Sequence, residues 1–260
     1  MVITLTTDFG YNDPFVGIMK GVILGINPKA QVIDLSHGIL RQDIMAAALI
    51  LRHSVSYFPP ATIHVVVVDP GVGSGRRPLL IESEGRFLIG PDNGVLSLAL
   101  DGKEPTCAVC LSNPTYHLQP TSATFHGRDI FSPVAAHLSL GIPPPAFGDR
   151  VEGFVRLALR PVLKSERYIE GEILYIDGFG NLFTNIQERD LAGLPPDKLK
   201  ISLRAISIHG VAANYMASRE GDYVAVFNSW GLLEIAVYKD SALKRTQAKI
   251  GDIVQVTVSS

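Results

Sequence analysis

The chain has 260 residues, 47% of them apolar, and its 23 basic and 25 acidic side chains leave a formal charge of -2. That balance excludes a basic footprint for nucleic acid or an anionic membrane and points to a small-molecule partner. The length permits one large domain or two smaller ones. No apolar run reaches the roughly 18 residues that span a bilayer, and the opening MVITLTTDFG enters a strand pattern without a leader's charged region, so a cytoplasmic protein is expected.

Residues 2–7 are the first expected strand, stopping at Asp8, and a loop then leads to Pro14, a favoured first helical residue. Phe15, Ile18, Met19, Val22, Ile23 and Ile26 recur at helical spacing as far as Asn27-Pro28. A second strand follows at 31–35. Asp43 is placed to cap a helix carrying Ile44, Ala47, Ala48, Leu51 and Val55, which Pro59-Pro60 ends. Residues 63–68 carry five β-branched residues, Ile63 and Val65 to Val68, suited to a central strand buried on both faces. Two more strands, at 79–82 and 87–89, precede the turn Gly90-Pro91-Asp92-Asn93-Gly94, and the spacing predicts a helix over 129–140. This alternation gives an α/β first domain over 1–155 with a mostly parallel sheet.

Ile142-Pro143-Pro144-Pro145 cannot continue a helix and starts the passage to a linker over 156–170. From Gly171 the period changes to short strands at 172–176, 182–186, 200–203, 223–228, 232–237 and 253–258, an all-β domain, barrel or sandwich, over 171–260. Cys107 and Cys110 lie on a strand-like segment, where residues three apart face opposite ways; a shared metal or a disulfide is disfavoured, and buried structural cysteines are expected.

The chemistry-bearing motifs sit at the expected strand ends. Open parallel sheets bind ligands beyond the carboxyl ends of their strands, which makes Asp8 and Asp69 candidates for one site. Gly71-Val72-Gly73-Ser74-Gly75 has Arg76 where a dinucleotide fingerprint has its third glycine, and it lacks the Gly-Lys-Ser/Thr end of a P-loop; a phosphate cradle is therefore disfavoured. Asp8 and Asp13 can accept the vicinal hydroxyls of a ribose, or serve as turn and cap residues. His126, in Phe125-His126-Gly127-Arg128-Asp129, is either structural or tied to Asp69 and Arg76. His37, His53, His64, His117, His137 and His209 are expected to be structural or at the surface. Asp177-Gly178-Phe179-Gly180-Asn181 and Asn228-Ser229-Trp230-Gly231 read as hairpin turns, yet each sets polar groups beside an exposed aromatic, a combination that can grip an adenine face and a zwitterionic amino acid.

Taken in order, Thr7-Asp8-Phe9-Gly10, Val68-Asp69-Pro70-Gly71-Val72-Gly73, the 90–94 turn, the 125–129 motif, Asp177-Gly178-Phe179-Gly180-Asn181-Leu182 and Asn228-Ser229-Trp230-Gly231 resemble the S-adenosyl-L-methionine hydroxide adenosyltransferases, relatives of fluorinase and chlorinase. The resemblance spans nearly the whole chain. It implies a Rossmann-like N-terminal α/β domain, a C-terminal β-barrel, and a homotrimer whose active sites lie between the N-domain of one subunit and the C-domain of the next. It places the handling of an attacking water on Asp69, Arg76 and His126. Ribose contacts fall on Asp8 with Asp13 nearby, methionine contacts on Asp177 and Ser229, the stacking aromatic on Phe179 and an adenine contact on Asn181. Phe125 is carried over as a substrate-binding position. Halogenating relatives lack this Asp and His, so water is expected over halide. Trp230 departs from fluorinase, which has arginine there.

The implied reaction is hydrolysis of S-adenosyl-L-methionine to adenosine and L-methionine, with no metal and no bound coenzyme. Two other readings stay open on sequence. Asp8, Asp13, Asp69 and Asp92 could gather a divalent cation for a nucleotide phosphohydrolase. The same pocket could also hold adenosine without turnover, as a non-catalytic binding module.

Overall fold

A computed structural model describes residues 1–258, and the chain divides into two compact units, Met1–Leu157 and Ala158–Ser260. The final two residues of the expected second domain lie outside the described residues.

In the first unit, β1 (Val2–Thr7), β2 (Gln31–Ser36), β3 (Ile63–Val67), β4 (Pro78–Ser83), β5 (Arg86–Pro91) and β6 (Cys107–Cys110) form one sheet in the order β2-β1-β3-β5-β4-β6. β1 pairs in parallel with β2 and β3, and β3 with β5; β4 joins β5 and β6 antiparallel. Every residue of β3 is buried, His64 among them, as befits a central strand rich in β-branched residues. On one face Ile3, Leu5, Ile63 and Val65 pack against Met19 and Ile23 of α1 (Phe15–Ile26) and Val134 of a later helix. The alternate residues Thr4, Thr6, His64 and Val66 face the other way and are buried too. Asp43 caps α2 (Ile44–Ser54), its Oδ1 accepting from Ala46 N at 2.9 Å.

The helical spacing over 129–140 is realised in two pieces. A π-type turn, Gly127–Phe131, runs into α3 (Ser132–Ser139), which has Pro133 in its first turn. Such turns are frequent at functional sites, and here the residue before it is His126. Cys107 and Cys110 are free and only half-buried, which corrects the expectation of a buried pair.

The second unit is a single antiparallel sheet. Its strands are β7 (Leu163–Lys164), β8 (Ile169–Ile176), β9 (Leu182–Gln187), β10 (Leu199–Leu203), β11 (Ile206–His209), β12 (Tyr223–Phe227), β13 (Leu232–Val237) and β14 (Ile253–Val258). They run in the order β11-β10-β14-β8-β9-β13-β12, with β7 beside β8. Ala212, just beyond β11, bridges to Val226 of β12, so the two ends of the sheet meet and the unit is nearly closed as a barrel. Its interior holds Ile173, Leu182, Ile186, Ile201, Leu233, Ile235 and Val254. β7 and β11 lie outside the strands that alternation predicts. No helix among the described residues is long and apolar enough to cross a membrane.

Candidate functional site

β1 and β3 are neighbours, so their carboxyl ends deliver Asp8 and Asp69 to the same edge of the sheet. Beyond Asp69 the chain turns tightly, with Val72 N donating to Asp69 O at 3.2 Å and Ser74 N to Gly71 O at 3.1 Å. This turn returns Arg76 to Asp69. Arg76 Nε donates to Asp69 Oδ1 at 3.0 Å and Nη2 donates to Oδ2. The side chains are 8% and 5% exposed, so the pair is shielded from solvent. The glycines serve packing here. At Gly73, φ is +77° and a Cβ would stand 2.3 Å from Ala123 O, so only glycine lets this loop approach the segment leading to His126.

That segment is pinned at Asp129, which accepts from Arg128 Nε at 2.6 Å and from Ser122 N at 2.9 Å. The outcome is a contact of 2.7 Å between Arg76 Nη2 and His126 Nδ1. A guanidinium only donates, so Nδ1 must be the acceptor, and a neutral imidazole then carries its proton on Nε2. Burial lowers the His126 pKa below its ordinary value and Arg76 lowers it further, while Asp69 and Asp129 act in the opposite direction. The structure thus brings together three residues drawn from positions 69, 76 and 126 of the sequence.

Asp69 and His126 line a cavity of about 320 Å³ with Asp8, Asp13, Phe9, Phe15 and Phe125, while Arg76 stands behind the two. Phe9, Phe15 and Phe125 form an edge-to-face trio with ring centroids 5.3 to 5.9 Å apart, an apolar wall beside the acids. Asp8 Oδ2 accepts from Gln42 N at 2.8 Å, and Gln42 and Arg41 line the same cavity. Asp13 is exposed and makes no cap hydrogen bond to α1. Asp92 is engaged elsewhere, with Arg77 Nε at 2.9 Å and Val155 N at 2.8 Å. The four aspartates read from sequence as a cation cluster therefore do not gather, and no group of three or more His, Cys, Asp or Glu among the described residues is placed to hold a metal ion.

The second unit has its own cavity, about 1040 Å³, lined by Asp177, Phe179, Asn181 and Ser229 among others. Asp177 organises its hairpin turn, with Oδ1 accepting from Phe179 N and Asn181 N, each at 2.9 Å, and Oδ2 accepting from Asn181 Nδ2 at 3.3 Å. Phe179 is left 82% exposed at the tip. Asn228 builds the other turn in the same manner, accepting from Trp230 N at 2.9 Å. Trp230 differs from the expected exposed aromatic: its indole is half-buried against Tyr175 and Phe183, behind the loop that offers Ser229.

A model of the SAM hydroxide adenosyltransferase N-terminal domain matches residues 3–148, and one of the C-terminal domain matches 171–255. The chain belongs to the SAM hydroxide adenosyltransferase family. It is 36% identical to the (R)-S-adenosyl-L-methionine hydrolase of Thermus thermophilus, over 94% of this chain and 95% of that protein. Identity to the enzyme of the same name from Salinispora arenicola is 37%, over 98% and 97%. The crystal structure of an uncharacterized conserved protein from Thermotoga maritima superposes with a TM-score of 0.92 at 32% identity, covering 99% of this chain and 100% of that one. The family's two domains thus fall on the two units that carry the two cavities.

Phe15, Arg41, Gln42, Tyr215 and Glu234 also line the cavities but lie outside the motifs. Two of them carry a sequence signal: Phe15 opens α1 just past the Asp8–Asp13 loop, and Glu234 is the lone acid in the run LLEIAV.

Proposed function

We propose that this chain hydrolyses S-adenosyl-L-methionine to adenosine and L-methionine. The observation that carries the reading is the convergence of Asp69, Arg76 and His126 at the carboxyl edge of a parallel sheet, beside a cavity with acids for a ribose. Two relatives named as hydrolases of this substrate support it.

The sulfonium already carries the positive charge and leaves as a neutral thioether, so the departing group needs no acid. The nucleophile is the difficulty, because water is weak and must lie in line with the C5′–sulfur bond. With Nδ1 of His126 occupied by Arg76, Nε2–H is left to donate to the water oxygen and orient it. Asp69 then takes the proton. Its two oxygens each spend one lone pair on Arg76 and keep another for the water. The water oxygen bonds to C5′, the C5′–S electron pair goes to sulfur, and the proton passes through Asp69 to solvent. Arg76 fixes the direction of both partners.

Asp8 and Asp13 accept the ribose hydroxyls, with Phe125 walling the ribose side; Phe179 stacks on the adenine and Asn181 reads its edge; Asp177 and Ser229 hold the methionine end. Trp230 supports the Ser229 turn from behind. The protein's residues perform every step of this scheme without a metal or coenzyme. In the functional assembly, a homotrimer, the first unit of one subunit works with the second unit of the next. Light scattering after gel filtration tests that assembly.

Incubating the protein with S-adenosyl-L-methionine and separating the products tests the activity. Adenosine and methionine in equal amounts, formed at the same rate with and without EDTA, are expected. Activity abolished by EDTA favours a metal-dependent hydrolase, and binding without products favours a non-catalytic module.

A further inference from the structure

Glu234 interrupts β13, where Leu232, Leu233, Ile235, Ala236 and Val237 are all apolar and buried. It is itself 0% exposed. A carboxyl in such a wall is costly unless something compensates it. Oε1 accepts from the Tyr215 hydroxyl at 2.9 Å, but among the described residues Oε2 has no hydrogen-bond partner. The Asn228 amide lies beside the carboxyl and off hydrogen-bonding geometry, its Nδ2 equally without a partner.

The charge acting on Glu234 is another acid. Burial pushes the Glu234 carboxyl up, Asp177 pushes it the same way, and Tyr215 and Asn228 act against them. Tyr215 is pushed up to about 12, by burial and then by its bond to Glu234. Lys239, at the rim of the cavity, is exposed and engaged with Glu220 at 2.8 Å.

We propose that Glu234, held by Tyr215, is a specificity-determining residue that receives the α-ammonium of the substrate's amino-acid end together with Asp177. The assignment rests on the reading of this cavity as the amino-acid side of the S-adenosyl-L-methionine site. A primary ammonium brings three N–H donors and a positive charge. Asp177 already accepts from three groups of its own loop, so Oε2 of Glu234 is the strong acceptor that the chain leaves for a donor. A cation between the two acids also removes their repulsion. A sulfonium has no N–H and makes no such bond.

Calorimetry on the full-length protein saturated with adenosine, titrated with L-methionine and with its deaminated analogue 4-methylthiobutanoate, tests this. E234Q keeps the acceptor for Tyr215 and removes the charge. It is expected to weaken L-methionine by about ten- to a hundredfold, the range for losing a charged hydrogen-bond partner, and to leave the analogue unchanged. Y215F, which keeps the carboxyl but frees it, is expected to weaken L-methionine less, and it carries the test should E234Q misfold. Equal affinity of wild type and both variants for L-methionine, equal losses for both ligands, or no L-methionine binding by the wild type would each overturn the assignment. Binding that follows the expected pattern in a protein that does not turn over S-adenosyl-L-methionine would sink the proposed hydrolysis and leave this assignment standing.

Discussion

Replacing Asp69 with asparagine isolates the proton acceptor from the rest of the site. The amide keeps an oxygen for Arg76 Nε, now 3.0 Å from Oδ1, but sets an NH₂ against Nη2, donor against donor. With these side chains 5% and 8% exposed, solvent offers little relief, and losing a hydrogen bond between charged groups costs about 1.5 to 3 kcal/mol. For a chain of this size that corresponds to a melting temperature lower by about 3 to 12 °C, so the variant should fold. The larger effect is chemical. An amide cannot take the water's proton, and loss of a general base lowers kcat by about 10²- to 10⁴-fold. The ground-state substrate does not use this base, so KM should stay within about threefold. Initial rates of adenosine formation across substrate concentrations, read by chromatography, separate the two constants. A folded Asp69→Asn enzyme with kcat within tenfold of wild type would refute the assignment of Asp69.

Three further outcomes follow from the geometry. His126 must be neutral for Nδ1 to accept from Arg76, and its pKa lies below the ordinary value of about 6.5; kcat/KM should therefore hold at pH 7 and fall as pH drops below that value, with the acid limb absent in His126→Asn. A limb centred above pH 7 contradicts this. Gly73→Ala drives a Cβ into Ala123 O, so kcat should fall about a hundredfold as the two loops part, whereas Gly75→Ala, with open space around it, should match wild type in the same assay. Phe179→Ala removes a ring that is 82% exposed, so melting should be unchanged while adenosine affinity, measured calorimetrically, drops about ten- to a hundredfold.

The elements most visible in sequence are those whose own residues dictate them. The β-branched run before Asp69 becomes the fully buried β3, and Asp43 caps α2 as its position predicts. The sheet-edge placement of Asp8 and Asp69 follows from the strand–helix alternation alone. What sequence hides is decided by tertiary contact. β11 spans only Ile206–His209 and buries one side chain, too short and polar for alternation to register. The π-type turn at Gly127–Phe131 arises where the chain must close against β3, and a Cβ at Gly127 would stand 3.3 Å from Val67 Cγ1. Trp230 looks like a surface aromatic beside Ser229, but Tyr175 and Phe183 from neighbouring strands give its indole a partly buried seat. Gln42 reaches Asp8 through its backbone N–H, a contact in which the side chain plays no part.

The most direct measurement is isotopic. In water enriched in ¹⁸O, turnover of S-adenosyl-L-methionine by this protein should place one ¹⁸O in the 5′-hydroxyl of the adenosine formed and none in methionine. Label in homoserine beside unlabelled methylthioadenosine, or adenosine free of ¹⁸O, would contradict attack at C5′ by a water held between Asp69 and His126.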